Sequence, residues 1–431
     1  MITHCLLRRR VWSHSWLLLT FVLLVPPLGA APQFVRESDL IDRVIELIDR
    51  RLDLMPEVAA GKYRQQKPIT DPARERDVIE QSSADAEAIH LDRAAARAFF
   101  SAQIAMARSV QNQLFEQWRS RNETPPASRD LTTEIRPQLD AIGRELLPAV
   151  YLASSALEAM PLPALTERAA RFHRHPGATA ELIGELLRSL TAMRITGDAT
   201  WQSVQRVGVL RVGTTGDYAP FSDDHNGALR GTDVEMAEEL ANSLGVTAVF
   251  VHTSWPTLMR DLSERRFDVA MSGVTITPER SQKAEFSIPY VYDGKMPIAR
   301  RVDAAKYSSL EKIDQPGVRV IVNPGGTNER FVREHLRHAT IVIHSDNRTI
   351  FDEIIAGRAD LMITDSIEVR LQTRRHPELQ ATTTEPFTRV GKAILLPTHS
   401  DLRSKIDAWL APQIERGKIA ERLEHEFGVG Q

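Results

Sequence analysis

Two sets of polar residues have the types and spacing for chemistry. The first is the string Asn323-Pro324-Gly325-Gly326-Thr327-Asn328-Glu329, which follows a β-branched run from Ile321 and precedes FVREHLRHA. A strand, a glycine turn and a helix N-terminus together present unpaired N–H groups and the positive end of a helix dipole, a cradle for an anion. Glu329 is the odd member, a carboxylate in the turn that should receive one. Beside bound anions it is expected to keep its proton at neutral pH and so to act as an acid. The plainer alternative is an acid in the first helical turn, favourable with the dipole. The second set is Arg51 and Gln111, polar residues at core-facing positions of helical stripes, with Ala107 leaving room one turn before Gln111. Long side chains at such places snorkel from a core edge or pair within the bundle, and bundle interiors also hold ligand sites.

The elements that must position these groups divide the chain. From Val35 to about Arg194 apolar residues recur with a 3.6 period. Ser38 can cap a helix whose stripe reads Leu40, Val44, Leu47, Ile48 and Arg51. Asp71-Pro72 supplies a cap and a first-turn proline for a second. Phe100, Ile104, Ala107, Gln111, Leu114 and Trp118 share a face of a third, and Ile135, Leu139, Ile142, Leu146 and Val150 mark a fourth. This predicts an all-α helical bundle over residues 33–194. Residues 195–205 break the period and read as a linker. Over residues 206–431 short apolar strands alternate with helices, which predicts a two-lobed α/β domain with parallel sheets. One lobe runs from about Val207 to Lys295 plus the C-terminal region, the other from about Arg301 to Phe387. Crossings near Pro297–Arg300 and Arg389–Ala393 would let the lobes close on a ligand.

Composition sets bounds. A chain of 431 residues implies two or three domains, and 42% hydrophobic with 26% charged residues excludes bulk disorder. The N-terminus reads as a secretory leader over residues 1–30: basic Arg8–Arg10, apolar Trp16–Val25, then Leu28-Gly29-Ala30 for cleavage. The mature protein is therefore expected in the periplasm, with no stable membrane association. The formal charge of −3 grows more negative once the leader's arginines leave, which excludes nucleic acid as a partner. Cys5, the single cysteine, leaves too, so disulfides cannot hold the exported chain. His173 and His175, and His335 and His338, lack companions for a metal set and are expected to be solvated; no metal is expected. Phosphate loops, dinucleotide fingerprints and serine-nucleophile motifs are absent. A homo-oligomer is left open.

The stretches RRLDLMPEVAAGKYRQQKPITDPARERDVIE, AIHLDRAAARAFFSAQIAMARSVQ and EIRPQLDAIGREL resemble the exported type of all-helical chorismate mutases, over about residues 36–160. The resemblance implies that Arg51, Arg74 and Arg136 bind substrate carboxylates. It also implies that Lys62 and Gln111 contact the ether oxygen, and that Asp71 and Glu75 hold the substrate hydroxyl. Ala107 and Val78 depart from the pattern. Converting chorismate to prephenate is a one-step rearrangement, so cations and an amide that hold the compact conformer and stabilise charge on the breaking C–O bond are enough.

The strings GTTGDYAPF, GTDVEMAEELA, FDVAMSGVTITPERSQKAEFSIPY and ADLMITD resemble the periplasmic amino-acid-binding proteins. With NPGGTNE they are similar to the catalytic offshoot of that superfamily, the cyclohexadienyl dehydratases, over about residues 204–428. The resemblance implies that Arg280, Ser272, Thr275 and Thr327 hold a carboxylate. By the same match Asp217, Tyr218, Trp255, Lys295, Asn323 and Asn328 line the cleft, and Asp365 stands where receptors bind an amino group. Glu329 matches the catalytic acid. Together the halves imply an exported bifunctional enzyme without cofactors, acting on chorismate and then on prephenate, with arogenate left open. The alternative is a solute receptor fused to a helical interaction module, binding without chemistry.

Overall fold

The computed structural model describes residues 31–428; the expected leader, with Cys5, lies outside the described residues. The helical half consists of α1 (Glu37–Asp53), α2 (Met55–Arg64), α3 (Pro72–Glu87), the 29-residue α4 (Arg93–Arg121), α5 (Arg136–Ala159), α6 (Leu162–Arg168) and α7 (Ala180–Thr191). The 3.6-residue stripes become its core: Leu40, Val44, Leu47 and Ile48 of α1 meet Ile142, Leu146 and Val150 of α5 in one buried cluster. Local chemistry sets the helix ends. The Asp71 carboxylate accepts the Arg74 N–H at 3.2 Å and Pro72 follows it, while Asn122 closes α4 in the left-handed region. A wider turn, Leu131–Ile135, leads into α5, with Asp130 accepting the N–H groups of Thr132 and Thr133. Gly61 lets α2 approach that turn, since a Cβ there would lie 2.9 Å from Leu131 Cγ. One surface expectation fails. His175 is buried, its ring 2.8 Å from the Asp49 carboxylate, because the turn Ala169–Arg174 folds back onto α1.

After α8 (Trp201–Val207), the first lobe opens with β1 (Val209–Thr214). A small flap follows, made of β2 (Asp217–Tyr218), β3 (Ser222–His225) and β4 (Ala228–Arg230). Then come α9 (Thr232–Ser243), β5 (Thr247–His252), α10 (Leu258–Ser263), β6 (Val269–Ala270), α11 (Pro278–Ser281) and β7 (Glu285–Phe286). The chain leaves through β8 (Val291–Asp293) and enters the second lobe with β9 (Lys295–Arg300). That lobe continues with α12 (Leu310–Ile313), β10 (Arg319–Val322), α13 (Thr327–His335), β11 (Thr340–Ile343), α14 (Ile350–Ile355), β12 (Leu361–Asp365), α15 (Ser366–Arg375) and β13 (Leu379–Ala381). The return path is β14 (Val390–Lys392), β15 (Leu395–Leu396), α16 (Leu402–Glu415) and α17 (Lys418–Glu426).

The sheet orders are β5-β1-β6-β15-β7 and β11-β10-β12-β9-β13. Both are mixed rather than wholly parallel. Strand β9 runs antiparallel to its neighbours β12 and β13, and β15 to β6 and β7, because a strand that has just crossed between lobes enters the sheet from the opposite end. Antiparallel pairing of β8 with β14 makes the hinge ribbon. The outward crossing is therefore at Val291–Lys295, ahead of the expected Pro297–Arg300, which lies inside β9; the return at Arg389–Ala393 stands as expected.

The two halves are joined at more than residues 195–205. Ile195 pairs with Leu91, and Thr200 caps α8. Ahead of α1, Phe34 pairs with Phe250 at the edge of the first lobe's sheet, and Leu229 N–H donates to Pro32 O at 2.7 Å. Between them lies a buried triad. Arg211 on β1 pairs with Asp268 at 2.6 Å and donates to the Tyr151 hydroxyl of α5 at 3.0 Å, its guanidinium 4.5 Å from that ring's centre. Burial and the neighbouring Asp268 push the Tyr151 phenol up, so it stays a donor.

Candidate functional site

At one end of the bundle, α2, the start of α3, the middle of α4 and the turn into α5 come together. Lys62 on α2 is half-buried and donates to Ile69 O at 2.6 Å. Its pKa is lowered by burial, raised by Glu75 and Asp71, and lowered again by Arg136 and Arg74. Four of the expected residues thus act on one ammonium group. Arg51 is desolvated, which lowers its pKa, with Asp140 opposing. Met55, four residues further along the chain, accepts from Gln111 Nε2 on its sulfur at 3.7 Å. The Gln111 amide is buried; Nε2 also donates to Ala107 O at 3.1 Å, and Oε1 has no partner among the described residues. Asp71 and Glu75 already have structural work, since Asp71 N–H donates to Glu75 Oε1 in a reciprocal cap and Glu75 lies 3.6 Å from Arg108. Gln103, which the sequence reading passed over, is buried with both amide atoms unpartnered among the described residues. It lies two turns before Gln111, and that spacing was the available signal. Unpaired buried amides are rare in a finished core, and these leave capacity for a polar ligand.

The cleft is organised by one buried ionic chain. Asp365, at the end of β12, receives Lys295 Nζ on Oδ1 and Lys392 Nζ on Oδ2, each at 2.7 Å, and the Tyr218 hydroxyl on Oδ2. Lys295 Nζ also donates to Thr327 Oγ1 at 2.8 Å and to Asn328 Oδ1. Lys392 Nζ lies within reach of Tyr218 Oη, Gly273 O and Thr275 Oγ1. Burial opposes the Asp365 charge, but the two ammonium groups hold its carboxyl well below the usual range. Six expected residues (Tyr218, Thr275, Lys295, Thr327, Asn328 and Asp365) are thereby brought together. Lys392, fully buried on β14, was missed: a lone lysine in a hinge strand gives no period or motif.

The remaining members surround that chain. Trp255 stands edge-on to Tyr218 at 5.5 Å and donates to Asp217 at 3.1 Å, and burial raises the Asp217 pKa. Ser272 is committed to Thr215 and Ser222, at 2.8 and 2.6 Å. Arg280 donates to Thr275 O at 2.9 Å and has no ion pair among the described residues; burial lowers its pKa to about 10. Asn323 is buried over the glycine turn with Oδ1 unpartnered. The lobes touch. Gly325, at φ +77°, packs where a Cβ would be 2.7 Å from Pro256, Asn347 donates to Asp217 O at 2.9 Å, and Arg330 pairs with Glu279.

Glu329 departs from expectation. Its Oε2 accepts the Gly325 N–H at 2.7 Å, and its Oε1 accepts Arg333 Nε at 2.8 Å. The Gly325 hydrogen bond, joined by Arg333 and opposed by burial, holds the carboxyl below its usual range. Without ligand it is therefore ionised at neutral pH rather than protonated. The reason is local: Gly326 has no side chain to cap α13, so Glu329, in the first turn, reaches back into the cradle itself. The protonated carboxyl of this region is Glu368, also missed. Burial raises its pKa to about 8, and it accepts from Thr364, which accepts from Asn328 at 3.0 Å. It borders a cavity of about 480 Å³ with Asp217, Asn347, Arg348 and Arg375.

This two-lobed geometry has matches among known proteins. The model for bacterial extracellular solute-binding proteins, family 3, matches residues 210–429. The chain belongs to that family. The chorismate mutase type II model matches residues 35–112, so the helical half of this solute-binding-family protein carries a chorismate mutase type II domain. A cyclohexadienyl dehydratase of Pseudomonas aeruginosa is 49% identical over 249 residues, covering 56% of this chain and 93% of its own. An L-cystine-binding protein of Escherichia coli is 27% identical over 57% of this chain and 92% of its own. Among solved structures, the ancestral amino acid-binding protein AncCDT-1, a precursor of cyclohexadienyl dehydratase, matches with TM-score 0.50 and 33% identity, over 53% of this chain and 99% of that one. No helix among the described residues is long and apolar enough to cross a membrane.

Proposed function

We propose that the protein converts chorismate to prephenate in its helical half and prephenate to phenylpyruvate in its cleft, with arogenate to phenylalanine as the parallel reaction of the second site. The observation that carries this reading is the presence, in one chain, of a chorismate mutase type II domain and a region 49% identical to a cyclohexadienyl dehydratase. The product of the first reaction is the substrate of the second.

In the helical half Arg51, Arg74 and Arg136 hold the two carboxylates, and Lys62 with Gln111 donates to the ether oxygen as the C–O bond breaks. Asp71 and Glu75 orient the substrate hydroxyl. No proton is exchanged. In the cleft the substrate loses carbon dioxide and its ring hydroxyl together. The electrons of the C–C bond to the carboxylate move into the ring as C–O breaks, and one proton joins the departing oxygen to make water. Glu329 supplies that proton. Arg280, with Ser272, Thr275, Thr327 and Asn328, holds a carboxylate; Asn323 and Lys295 face the other, and Asp217, Tyr218 and Trp255 pack the ring. A dianion in the cradle displaces Glu329 from Gly325 N–H and raises its pKa, so the acid is charged with its proton only when substrate arrives. Export through the leader places both reactions in the periplasm.

Adding chorismate to the purified protein and following phenylpyruvate in alkali tests the whole reading. Product is expected from the intact chain, and prephenate is expected to accumulate with Glu329→Gln. Ligand binding without product from either site would leave a receptor instead.

A further inference from the structure

A second cavity lies outside both sites, in the seam between the bundle and the first lobe. It measures about 390 Å³ and is walled by α1 and its approach, by α5, and by the segment from the end of β5 through α10 to Arg266. That volume falls within the range of small-ligand pockets, which favour domain interfaces. One wall is apolar: Val35, Leu40, Leu152, Ala156 and Val251. The opposite wall offers cations. Asp261, 1% exposed, spends its carboxylate inside the wall, accepting the hydroxyls of Thr253 at 2.7 Å and Thr257 at 2.6 Å. Arg266 pairs with Glu37 at 2.8 Å, but Arg260 is loosely held, 3.3 Å from Asp261 and 3.8 Å from Glu264, and more than half of its side chain is exposed. A carboxylate can therefore capture the Arg260 guanidinium, whereas an amine meets only acids that are already paired. The cavity also shares a wall with the cleft. Thr253, Ser254 and Thr257 line the seam, while Trp255 and Pro256 between them stand against Tyr218 and Gly325.

We propose that the seam cavity is a second small-molecule site, for a monocarboxylate with a ring-sized apolar body, held by Arg260 and felt in the cleft through the Thr253–Thr257 wall. The apolar side takes the body, and the guanidinium takes the carboxylate in a charge-assisted pair. The site depends on neither proposed reaction.

Calorimetry with hydrocinnamate, which has no ring hydroxyl to lose, tests this on the full chain, with Arg280→Ala used to silence the cleft. Binding should persist in Arg280→Ala and weaken about tenfold or more when either Arg260→Ala or the cavity-filling Ser155→Phe is added. Absence of binding in Arg280→Ala, or binding indifferent to both additions, overturns the proposal. Should the variants fail to fold, amide hydrogen exchange on the unaltered protein decides. Hydrocinnamate should slow exchange at Leu152–Ala156 of α5 as well as at Val251–Asp261, and exchange unchanged at Leu152–Ala156 refutes the seam site. The shared wall has its own readout. Hydrocinnamate should change the tryptophan emission of Arg280→Ala, and adding Trp255→Phe should remove that change while the heat of binding remains. Emission that the ligand leaves unmoved, or a change that survives Trp255→Phe, overturns the link to the cleft.

Discussion

The helical site and the cleft solve different problems with nearly opposite arrangements of charge. In the bundle, cations come from separate helices onto one end, and the buried amides Gln103 and Gln111 are left with unpartnered atoms. In the cleft, the buried charges are paired with one another through Asp365, and Glu329, the proposed acid, is already ionised. A rearrangement needs only a fixed field, so donors can wait unpaired. An elimination needs a proton delivered at one moment, so the fixed charges are tied down and the mobile one is kept apart.

The largest effect should come from removing that mobile proton. Glu329→Gln is expected to lower dehydratase kcat by about 10²–10⁴ with prephenate still bound, while mutase turnover is unchanged. Loss of both activities together would break the comparison. Next, Gln111→Glu should give the mutase a pH dependence that the unaltered protein is expected not to show. Its rate should fall about tenfold per pH unit above the pKa of the introduced acid, with the dehydratase profile unaltered; a flat mutase profile would refute the role of Gln111. In the unaltered protein, dehydratase kcat/KM should decline with pH across the neutral range, because free Glu329 is held below the ordinary 4.5. By contrast kcat should stay level to a higher pH. Coincident profiles would mean that substrate does not shift the acid.

A smaller effect concerns stability. An unfolded Glu368 ionises near 4.5, but the folded one keeps its proton to about 8. Stability is therefore lost as pH rises from 4.5 to 8 and levels off above. Glu368→Gln should flatten the thermal midpoint across that window by a few °C, roughly. The smallest is Tyr151→Phe. Losing its hydrogen bonds to Arg211 and Asp268 should cost about 1 kcal/mol of unfolding free energy, read from denaturant melts, and leave both rates alone.

Much of the fold was legible because helical stripes and strand–helix alternation are periodic. Gln111 was found in this way, as a polar residue in an apolar stripe, and Gln103 obeys the same spacing. The glycine turn was equally readable, since Gly325 must take a left-handed conformation against Pro256. What could not be read was pairing across long separations. Lys392 and Asp365 lie in different segments, and only the return of the hinge strand puts them 2.7 Å apart. The ionisation of Glu329 failed for a related reason: Arg333, four residues on, and Gly325 N–H compete for it in the absence of ligand. Sheet direction failed because β9 and β15 enter after a lobe crossing, which local pattern does not encode.

The Arg211–Asp268–Tyr151 triad and the pairing of Phe34 with Phe250 weld the bundle to a single lobe. Any swing at the β8–β14 ribbon therefore carries the second lobe alone past a heavier partner with roughly three times its residues. The helical site then keeps its orientation toward the first lobe at every opening of the cleft, so the proposed mutase step is expected not to depend on that opening.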